Sequence, residues 1–427
     1  MGVDVGTGGA RAVALDPAGT SVAAAEVSTA VPAQPDELIR AAPLLDALRA
    51  AVADLMRRRP DVRPLALAVG AQGPTTVDRR SGLALTYRSR FGKDRPPVEQ
   101  YEAQRQALAA SGGGPIEPSQ LWDWLLEQLG AEPHHGRWPG TEAVAGFGSV
   151  RRTGERVGIA TRGRLAVDGD VLLVAGAVDT LLAQWGAGLD RPGRALDAGG
   201  RSGGLAVAAS SGTRVAGLWA HAAAAVGIDI LGAPVSAHGL SMEWLATVSG
   251  RPISELLQSA AAVEPGARGL VFLPYLEGER APRFDPGLRG VLAGLDGQTT
   301  LPELARAVLE GSAYGLAHIA SIMGQAGVAI EVLICGGRPA QSELWSGIKS
   351  AVLEVPVERS DIDLAAYGAA LAAGSAVGWW PRPGEGGAGS WPRPAMSRTA
   401  AESDTRYRAG LRRFIAVGDA AAQWSRL

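Results

Sequence analysis

The chain is poor in cysteine and lysine and has no excess of charge of either sign. Cys335 is the single cysteine among 427 residues, so no disulfide can form within the chain, which fits a reducing compartment such as the cytoplasm. The formal net charge of −2 gives no basic surplus of the kind that binding to nucleic acid or anionic membranes needs. The longest uncharged stretch after Asp363, residues 364–381, is rich in alanine and glycine and indicates a buried helix, not a membrane span. The sequence thus predicts a cytoplasmic protein that binds neither nucleic acid nor membranes.

The length and composition predict two domains. A chain of 43.8 kDa is too long for one small hydrophobic core. Its 46% of hydrophobic and 20% of charged residues is an ordinary balance for a globular protein.

An apolar run followed by one acidic residue stands near the middle of the chain. Residues 171–178 are uncharged and largely aliphatic, and Asp179 follows them directly. Open α/β sheets bind ligands at the carboxyl ends of their strands, so we interpret Asp179 as a general base. The glycine-rich segment Gly199–Gly204 follows a second apolar run, and its backbone N–H groups can bind an anion such as phosphate. The alternative for Asp179 is the N-cap of a helix over residues 180–185.

Two further glycine turns follow apolar strands. Residues 1–5 predict a strand that carries Asp4, and Gly6-Thr7-Gly8-Gly9 predicts a tight turn before a returning strand. Glycine lets a backbone approach an oxygen atom that a Cβ would block, although a plain β-hairpin has the same pattern. The strand at 332–335 is followed by Gly336-Gly337, which allows close approach of a flat base or a ribose but is also common as a structural turn. Each turn alone is unspecific, and together they favour phosphate binding.

Long ordered segments of the chain resemble the FGGY carbohydrate kinases. These segments are GAVDTLLAQWGAGLDRPGRAL from residue 176, GGRSGG from residue 199, GLVFLPYLEGERAPRFDPGLRGVLAGL from residue 269, and residues 303–311. The resemblance extends over most of residues 1–378. It implies an α/β protein with the two-domain actin-like ATPase (ribonuclease H-like) fold and an interdomain cleft. The implied divisions are a shortened sugar- and phosphate-binding domain at 1–192, a nucleotide-binding domain at 193–378, a Pro/Gly/Trp linker at 379–398 and a C-terminal helix at 399–427.

The resemblance also implies an activity and a set of site residues. The expected enzyme is an ATP-dependent, Mg²⁺-requiring carbohydrate kinase of the xylulokinase-like branch, which transfers the γ-phosphate to a hydroxyl of a ketose or polyol and could form a homodimer. Asp179 would be the catalytic base and touch the sugar, as would Gln72, for which a plain polar turn residue is an equal alternative. Asp4 would hold the metal. The residues expected to contact ATP are Gly6, Thr7, Arg11, Gly200, Ser202, Gly203, Gly336 and Gly337.

Three departures from the family pattern leave a second function open. Tyr87–Arg95 stands where most members have Trp-x-Asp-x-Arg, the loop at 132–143 replaces a longer insertion, and Arg201 occupies the usual threonine position. The alternative is therefore a catalytically impaired member that binds nucleotide or sugar in a regulatory role. An actin-like chaperone or filament protein would leave the C-terminal segments unexplained. His134 and His135 are adjacent, with no further histidine or cysteine nearby to complete a metal site, and are predicted to be surface residues.

The periodicity predicts the main helices. They are expected at 43–58, 98–109, 119–129, 304–323, 342–353, 364–376 and 400–424, with a further helix beginning at 233–244.

Overall fold

A computed structural model of the chain describes residues 1–6, 8–29, 38–86, 97–112, 114–136, 149–235 and 237–424. The chain divides into two units. Unit 1 comprises Met1–Gly188, Ala223–Val226 and Ile362–Pro394, and unit 2 comprises Leu189–Ala222, Gly227–Asp361 and Ala395–Leu427. The domain boundaries expected from the sequence, 1–192 and 193–378, remain a prediction.

The elements follow one another in mixed order along the chain. The strands are β1 (Gly2–Gly6), β2 (Gly9–Leu15), β3 (Ser21–Ser28), β4 (Ile39–Arg40), β5 (Ala66–Ala71), β6 (Thr76–Asp78), β7 (Leu83–Leu85), β8 (Pro118–Gln120), β9 (His134–Gly136), β10 (Ser149–Arg151), β11 (Arg156–Ala160), β12 (Val171–Val178), β13 (Arg194–Asp197), β14 (Gly203–Ser210), β15 (Trp219–Ala222), β16 (Ile228–Val235), β17 (Val271–Leu273), β18 (Val291–Ala293), β19 (Val332–Cys335), β20 (Val357–Arg359) and β21 (Ser397–Thr399). The helices are α1 (Ala42–Arg58), α2 (Pro97–Gly112), α3 (Leu121–Leu129), α4 (Asp179–Gly186), α5 (His238–Ser249), α6 (Ile253–Ala261), α7 (Leu301–Gln325), α8 (Gly337–Ala340), α9 (Glu343–Leu353), α10 (Leu364–Ala376) and α11 (Thr405–Trp424).

The main sheet of unit 1 has the order β11-β12-β5-β1-β2-β3. Strands β12, β5 and β1 run parallel, and β2 and β3 continue as an antiparallel meander. Helices α1 and α10 pack against this sheet. The central strands are buried on both faces, which explains why β12 is a continuous apolar run and not an alternating one. Helix α10 is buried throughout and consists mainly of alanine and glycine, because small side chains let it lie close to the sheet.

The main sheet of unit 2 repeats this arrangement. Its order is β15-β16-β14-β13-β19-β20-β21. Strands β13, β19 and β20 run parallel, whereas β14 is antiparallel to both of its neighbours, β13 and β16. Helix α7 begins with a capping box, in which Thr300 and Glu303 satisfy each other's backbone N–H groups, and it packs against α6, α9 and β17. In both units, therefore, adjacent parallel strands place their carboxyl ends at the same edge of a sheet.

Most of the predicted elements are present, and two expectations are wrong. Helices α7, α9 and α10 and strand β19 lie where the sequence pattern placed them. The helix expected from residue 233 begins only at His238, because residues 233–235 end strand β16 and pair with β14. The C-terminal helix begins at Thr405, because Ser397–Thr399 forms edge strand β21. No helix among the described residues is long and apolar enough to cross a membrane.

Candidate functional site

Two predicted residues of unit 1 follow neighbouring parallel strands. Ala71 at the end of β5 pairs with Val5 of β1 on one side and with Val178 of β12 on the other. Gln72 and Asp179 directly follow the last residues of β5 and β12, and the N–H of Gln72 donates to the carbonyl of Val5 at 3.2 Å. Parallel pairing therefore brings Gln72 and Asp179 to one edge, although they are far apart in the chain.

Asp179 is the first residue of helix α4. Val178 occupies the N-cap position, so the alternative of Asp179 as an N-cap is not observed, and its Oδ1 instead accepts the N–H of Thr180 at 2.7 Å. Burial raises the pKa of Asp179 to about 7, the bond from Thr180 opposes the rise, and the charge of Asp363 adds to it. A carboxyl group with a pKa near neutrality can both accept and release a proton, which is the property a general base needs.

Asp4 is a buried carboxylate with one oxygen unused. The residue is 7% exposed, and its Oδ1 has no hydrogen-bond partner. Burial and the charges of Asp363 and Asp179 raise the pKa of Asp4 well above its ordinary value, and Arg11 only partly opposes this. Mg²⁺ prefers oxygen ligands and usually takes one or two protein carboxylates together with water and phosphate. Asp4 therefore fits the predicted magnesium site.

A site of this kind needs few protein ligands. Within the described residues, no group of three or more His, Cys, Asp or Glu side chains is arranged to hold a metal ion. An all-protein metal cage is thus not seen there, whereas Mg²⁺ bound mainly through water and phosphate does not require one.

Arg11 lies among three carboxylates. Its guanidinium is 3.1 Å from Glu26, 3.7 Å from Asp363 and 3.8 Å from Asp4. Burial alone would lower the pKa of Arg11, but the charges of Asp363, Asp4 and Glu26 raise it. Arg11 therefore offsets part of the negative charge at this edge, and its contact with phosphate remains a prediction.

Sequence reasoning missed Asp363 as a site residue. Its side chain caps helix α10 by accepting the N–H of Ala366 at 2.9 Å, and the same carboxylate lies near Arg11. An aspartate before an alanine-rich segment is a recognisable N-cap signal. That signal predicts where a helix begins. It does not predict that the capping side chain also lies near Arg11 of another element.

The remaining unit 1 residues differ in how far the structure describes them. Gly6 ends β1 and pairs with Gly9, whereas Thr7 lies outside the described residues, as does the charged segment at 87–95. Gln72 is 6% exposed, and its Nε2 has no hydrogen-bond partner. A buried amide N–H without an acceptor is costly, and a ligand hydroxyl could accept from it. Sugar contact by Gln72 stays a prediction.

The expectation that His134 and His135 are surface residues is wrong. They are 1% and 2% exposed, because strand β9 packs beside α3 and both imidazoles contact the buried carboxylate of Asp123, at 3.2 and 3.5 Å. Asp123 also accepts the N–H of Gly136 at 2.8 Å. The three side chains thus fasten β9 to α3. Adjacent residues can both reach one carboxylate when its two oxygens point to different sides.

The two glycine turns of unit 2 lie side by side. We call Gly199–Gly203 the first glycine turn and Gly336–Gly337 the second. Strands β13 and β19 are parallel neighbours, and the N–H of Gly336 donates to the carbonyl of Asp197 at 3.0 Å. A Cβ at Gly199 would lie 2.2 Å from the carbonyl oxygen of Gly336, so only glycine allows this approach. The predicted phosphate turn and adenosine turn are thus brought together within one unit.

Arg201 is held by helix α5. Its guanidinium pairs with the carboxylate of Glu243, and its carbonyl accepts the N–H of Leu240 at 2.9 Å. The carbonyl of Gly200 accepts the N–H of Gly239 in the same way. The first turn of α5 therefore uses its free N–H groups to fix the carbonyl side of the first glycine turn.

A buried triad of charged and polar side chains lies at the base of these turns, and sequence reasoning missed it. The triad consists of Asp197, His238 and Lys349, and all three are at most 1% exposed. Lys349 Nζ is 2.6 Å from Asp197 Oδ2, and His238 Nε2 is 3.2 Å from the same oxygen. Removing one partner of a buried ion pair leaves an uncompensated charge, which typically costs about 3–5 kcal/mol of stability.

The charge state of the triad follows from these contacts. Burial favours the neutral acid, but His238 and Lys349 hold the pKa of Asp197 far below its ordinary value. Burial favours neutral lysine, but Asp197 raises the pKa of Lys349. Burial lowers the pKa of His238, and the charge of Lys349 adds to this while Asp197 opposes it. The triad is therefore a buried carboxylate and ammonium ion with the imidazole of His238 beside them.

Comparisons with known proteins agree with this arrangement. Residues 235–377 match the C-terminal domain of the FGGY family of carbohydrate kinases. The chain is 35% identical over 147 residues to a xylulose kinase of Staphylococcus epidermidis, which covers 34% of this chain and 30% of that protein. It is 37% identical over 142 residues to a glycerol kinase of Thermus brockianus, an alignment that covers 33% of this chain and 29% of that protein. The chain thus aligns with about 30% of the length of these curated relatives.

The fold is similar over a greater length. The crystal structure of a xyloylose kinase from Brucella ovis superposes with a TM-score of 0.81 and 21% identity, covering 99% of each chain. The predicted actin-like ATPase fold is confirmed. The resemblance read from the sequence agrees with these comparisons: residues 235–377 match the C-terminal domain of the FGGY family of carbohydrate kinases, and the fold of the chain is similar to that of the xyloylose kinase structure.

Proposed function

We propose that the chain is an ATP-dependent carbohydrate kinase that transfers the γ-phosphate to a hydroxyl of a ketose or polyol, most like the xylulose kinases. The observation that carries the proposal is the position of Asp179, a carboxyl group with a pKa near 7 at a strand edge that it shares with Asp4 and Gln72. This edge supplies the base, a fit for Mg²⁺ and an unpaired amide for a sugar hydroxyl.

The chemistry asked of the protein is positioning and proton acceptance. Mg²⁺ bound with ATP would supply neutralisation of the charge on the transferred phosphoryl group. Asp179 Oδ would accept the proton of the attacking hydroxyl as the new P–O bond forms and the bond from the γ-phosphorus to the bridging oxygen breaks, with ADP as the leaving group. The N–H of Thr180 holds this carboxylate in place. Gln72 would orient the sugar, and the N–H groups of the first glycine turn would bind phosphate oxygens in unit 2.

The choice of substrate is part of the proposal. The relatives that the chain matches include both a xylulose kinase and a glycerol kinase, so a ketose and a polyol are both represented. A coupled assay of ADP release with pentuloses, hexuloses and polyols identifies the acceptor. ADP release with none of them, together with measurable nucleotide binding, would contradict the kinase and support a regulatory binding role.

Asp179→Asn should lower kcat by about 10²–10⁴-fold, because the amide cannot accept the hydroxyl proton. The KM for ATP should change little. Asp168 is exposed and precedes the first residue of β12, so Asp168→Asn is the control and should keep wild-type turnover. Steady-state kinetics measure both variants, and wild-type turnover by Asp179→Asn would rule out this residue as the base.

The same substitution should stabilise the fold at alkaline pH. The pKa of Asp179 rises from 3.8 to about 7 on folding, so the folded state binds this proton more tightly and stability falls as the pH rises between these values. At 1.36 kcal/mol per pKa unit, Asp179→Asn should gain about 1–4 kcal/mol at pH 8 and less at pH 5. Thermal unfolding at both pH values measures this. A gain independent of pH, or one shared by Asp168→Asn, would contradict it.

Gln72→Leu should weaken the use of sugar specifically. Losing one buried hydrogen bond to a substrate hydroxyl costs about 1–3 kcal/mol, which corresponds to a decrease of about 5–150-fold in kcat/KM for the sugar. The KM for ATP should not change. Gln128→Leu on helix α3 is the matched control. If Gln72→Leu leaves sugar kinetics unchanged, Gln72 is a plain polar turn residue.

A further inference from the structure

The buried triad touches the first glycine turn at both of its ends. At the beginning, Asp197 Oδ1 accepts the N–H of Gly199 at 3.2 Å. At the end, Gly203 lies against the ring of His238, so closely that a Cβ on Gly203 would be 2.8 Å from His238 Cγ. Between these two points, the carbonyl groups of Gly200 and Arg201 accept hydrogen bonds from helix α5. The first glycine turn is therefore held by the triad at its two ends and by helix α5 between them.

Lys349 keeps Asp197 ionised, so that Asp197 can accept the hydrogen bond from Gly199. Asp197 must be ionised to accept strongly from a backbone N–H, and an isolated carboxylate at this depth would instead take up a proton. The ammonium group of Lys349 at 2.6 Å prevents this by compensating the charge. Lys349 itself lies 5.1 Å from the ring centroid of Trp345, which shields it from water.

His238 is fixed in turn by stacking. Its ring lies parallel to that of Trp345, with a centroid distance of 5.0 Å and an interplanar angle of 9°. Trp345 is held by its own Nε1–H, which donates to Ser312 Oγ on α7 at 2.9 Å. The imidazole that lies against Gly203 is therefore held in place by its stack on Trp345.

We propose that Asp197, His238 and Lys349 are positioning residues that hold the first glycine turn in the conformation that binds nucleotide phosphates. The ligand class is a nucleoside di- or triphosphate, and the inference rests on the proposed function. The triad touches no reacting atom and acts through the turn. Turn N–H groups that are already oriented bind an anion without the cost of ordering the loop.

Two double variants separate the hydrogen bond from Gly199 to Asp197 from the charge of the Asp197–Lys349 pair. Asp197→Asn with Lys349→Met removes both charges but keeps an oxygen that can accept from Gly199. Asp197→Leu with Lys349→Met has nearly the same shape and lacks that oxygen. Both avoid an unpaired buried charge, so both should fold. Calorimetric titration of each with ADP and Mg²⁺ should give an affinity at least about tenfold weaker for the leucine variant, because Gly199 loses its acceptor. The KM for the sugar should be equal in the two.

Two histidine variants test the other end of the turn. His221 on edge strand β15 also stacks on a tryptophan, Trp219, with a centroid distance of 5.3 Å and an angle of 14°. His238→Ala and His221→Ala thus remove the same kind of stack. Only His238→Ala should weaken ADP binding, and it should raise the KM for ATP while leaving the KM for the sugar unchanged. This pair decides the question if the leucine double variant does not fold.

The outcomes separate this inference from the function on which it rests. A wild-type chain that binds neither ADP nor ATP contradicts the proposed kinase, and the inference falls with it. Normal ADP binding by wild type, with equal affinities in the two double variants and in the two histidine variants, contradicts the inference alone. Equal losses of ADP and sugar affinity would show a general structural role.

Discussion

Parallel pairing of neighbouring strands is the constraint on which both candidate sites depend. In unit 1 it brings β1, β5 and β12 to a common edge, and in unit 2 it does the same for β13 and β19. Each chain segment that leaves such an edge must turn away from its neighbours. Glycine and polar side chains occupy these exits, and the candidate site residues of both units lie there.

Charge burial gives the two edges different characters. The unit 1 edge gathers the acids Asp4, Asp179 and Asp363, and burial together with neighbouring carboxylates raises the pKa values of Asp4 and Asp179. One oxygen of Asp4 is unpaired. The base of the unit 2 edge is instead neutralised within itself, by the contact of Asp197 with Lys349. The first arrangement is reactive and suited to a cation or a proton, and the second is inert and suited to holding a loop.

Features that are local in the sequence could be predicted from it. The strand at 332–335 and the helix at 364–376 follow from apolar runs bounded by glycine or a capping aspartate, and their bounds agree with the structure. Asp179 could be selected because a strand, an acid and a helix succeed one another within a few residues. The long C-terminal segments could be recognised because they are ordered along the chain, and residues 269–295 and 303–311 lie within the stretch that matches the C-terminal domain of the FGGY carbohydrate kinases.

Contacts between distant segments could not be predicted in this way. Asp197 and Lys349 are 152 residues apart, and each alone has the pattern of a strand end or a helix surface. His134 and His135 were misplaced because burial of adjacent polar residues needs a partner, Asp123, whose orientation only the packing of α3 determines. The capping pattern of Asp363 predicts only its bond to Ala366 and not its ion pair with Arg11.

The most direct test of the central claim is a crystal structure of the chain with ADP and Mg²⁺. The account predicts the phosphates within hydrogen-bond distance of the backbone N–H groups of Ser202 and Gly203, with the second glycine turn beside the nucleoside and the triad unchanged beneath. ADP bound elsewhere, with the guanidinium of Arg201 occupying the first glycine turn, would contradict it.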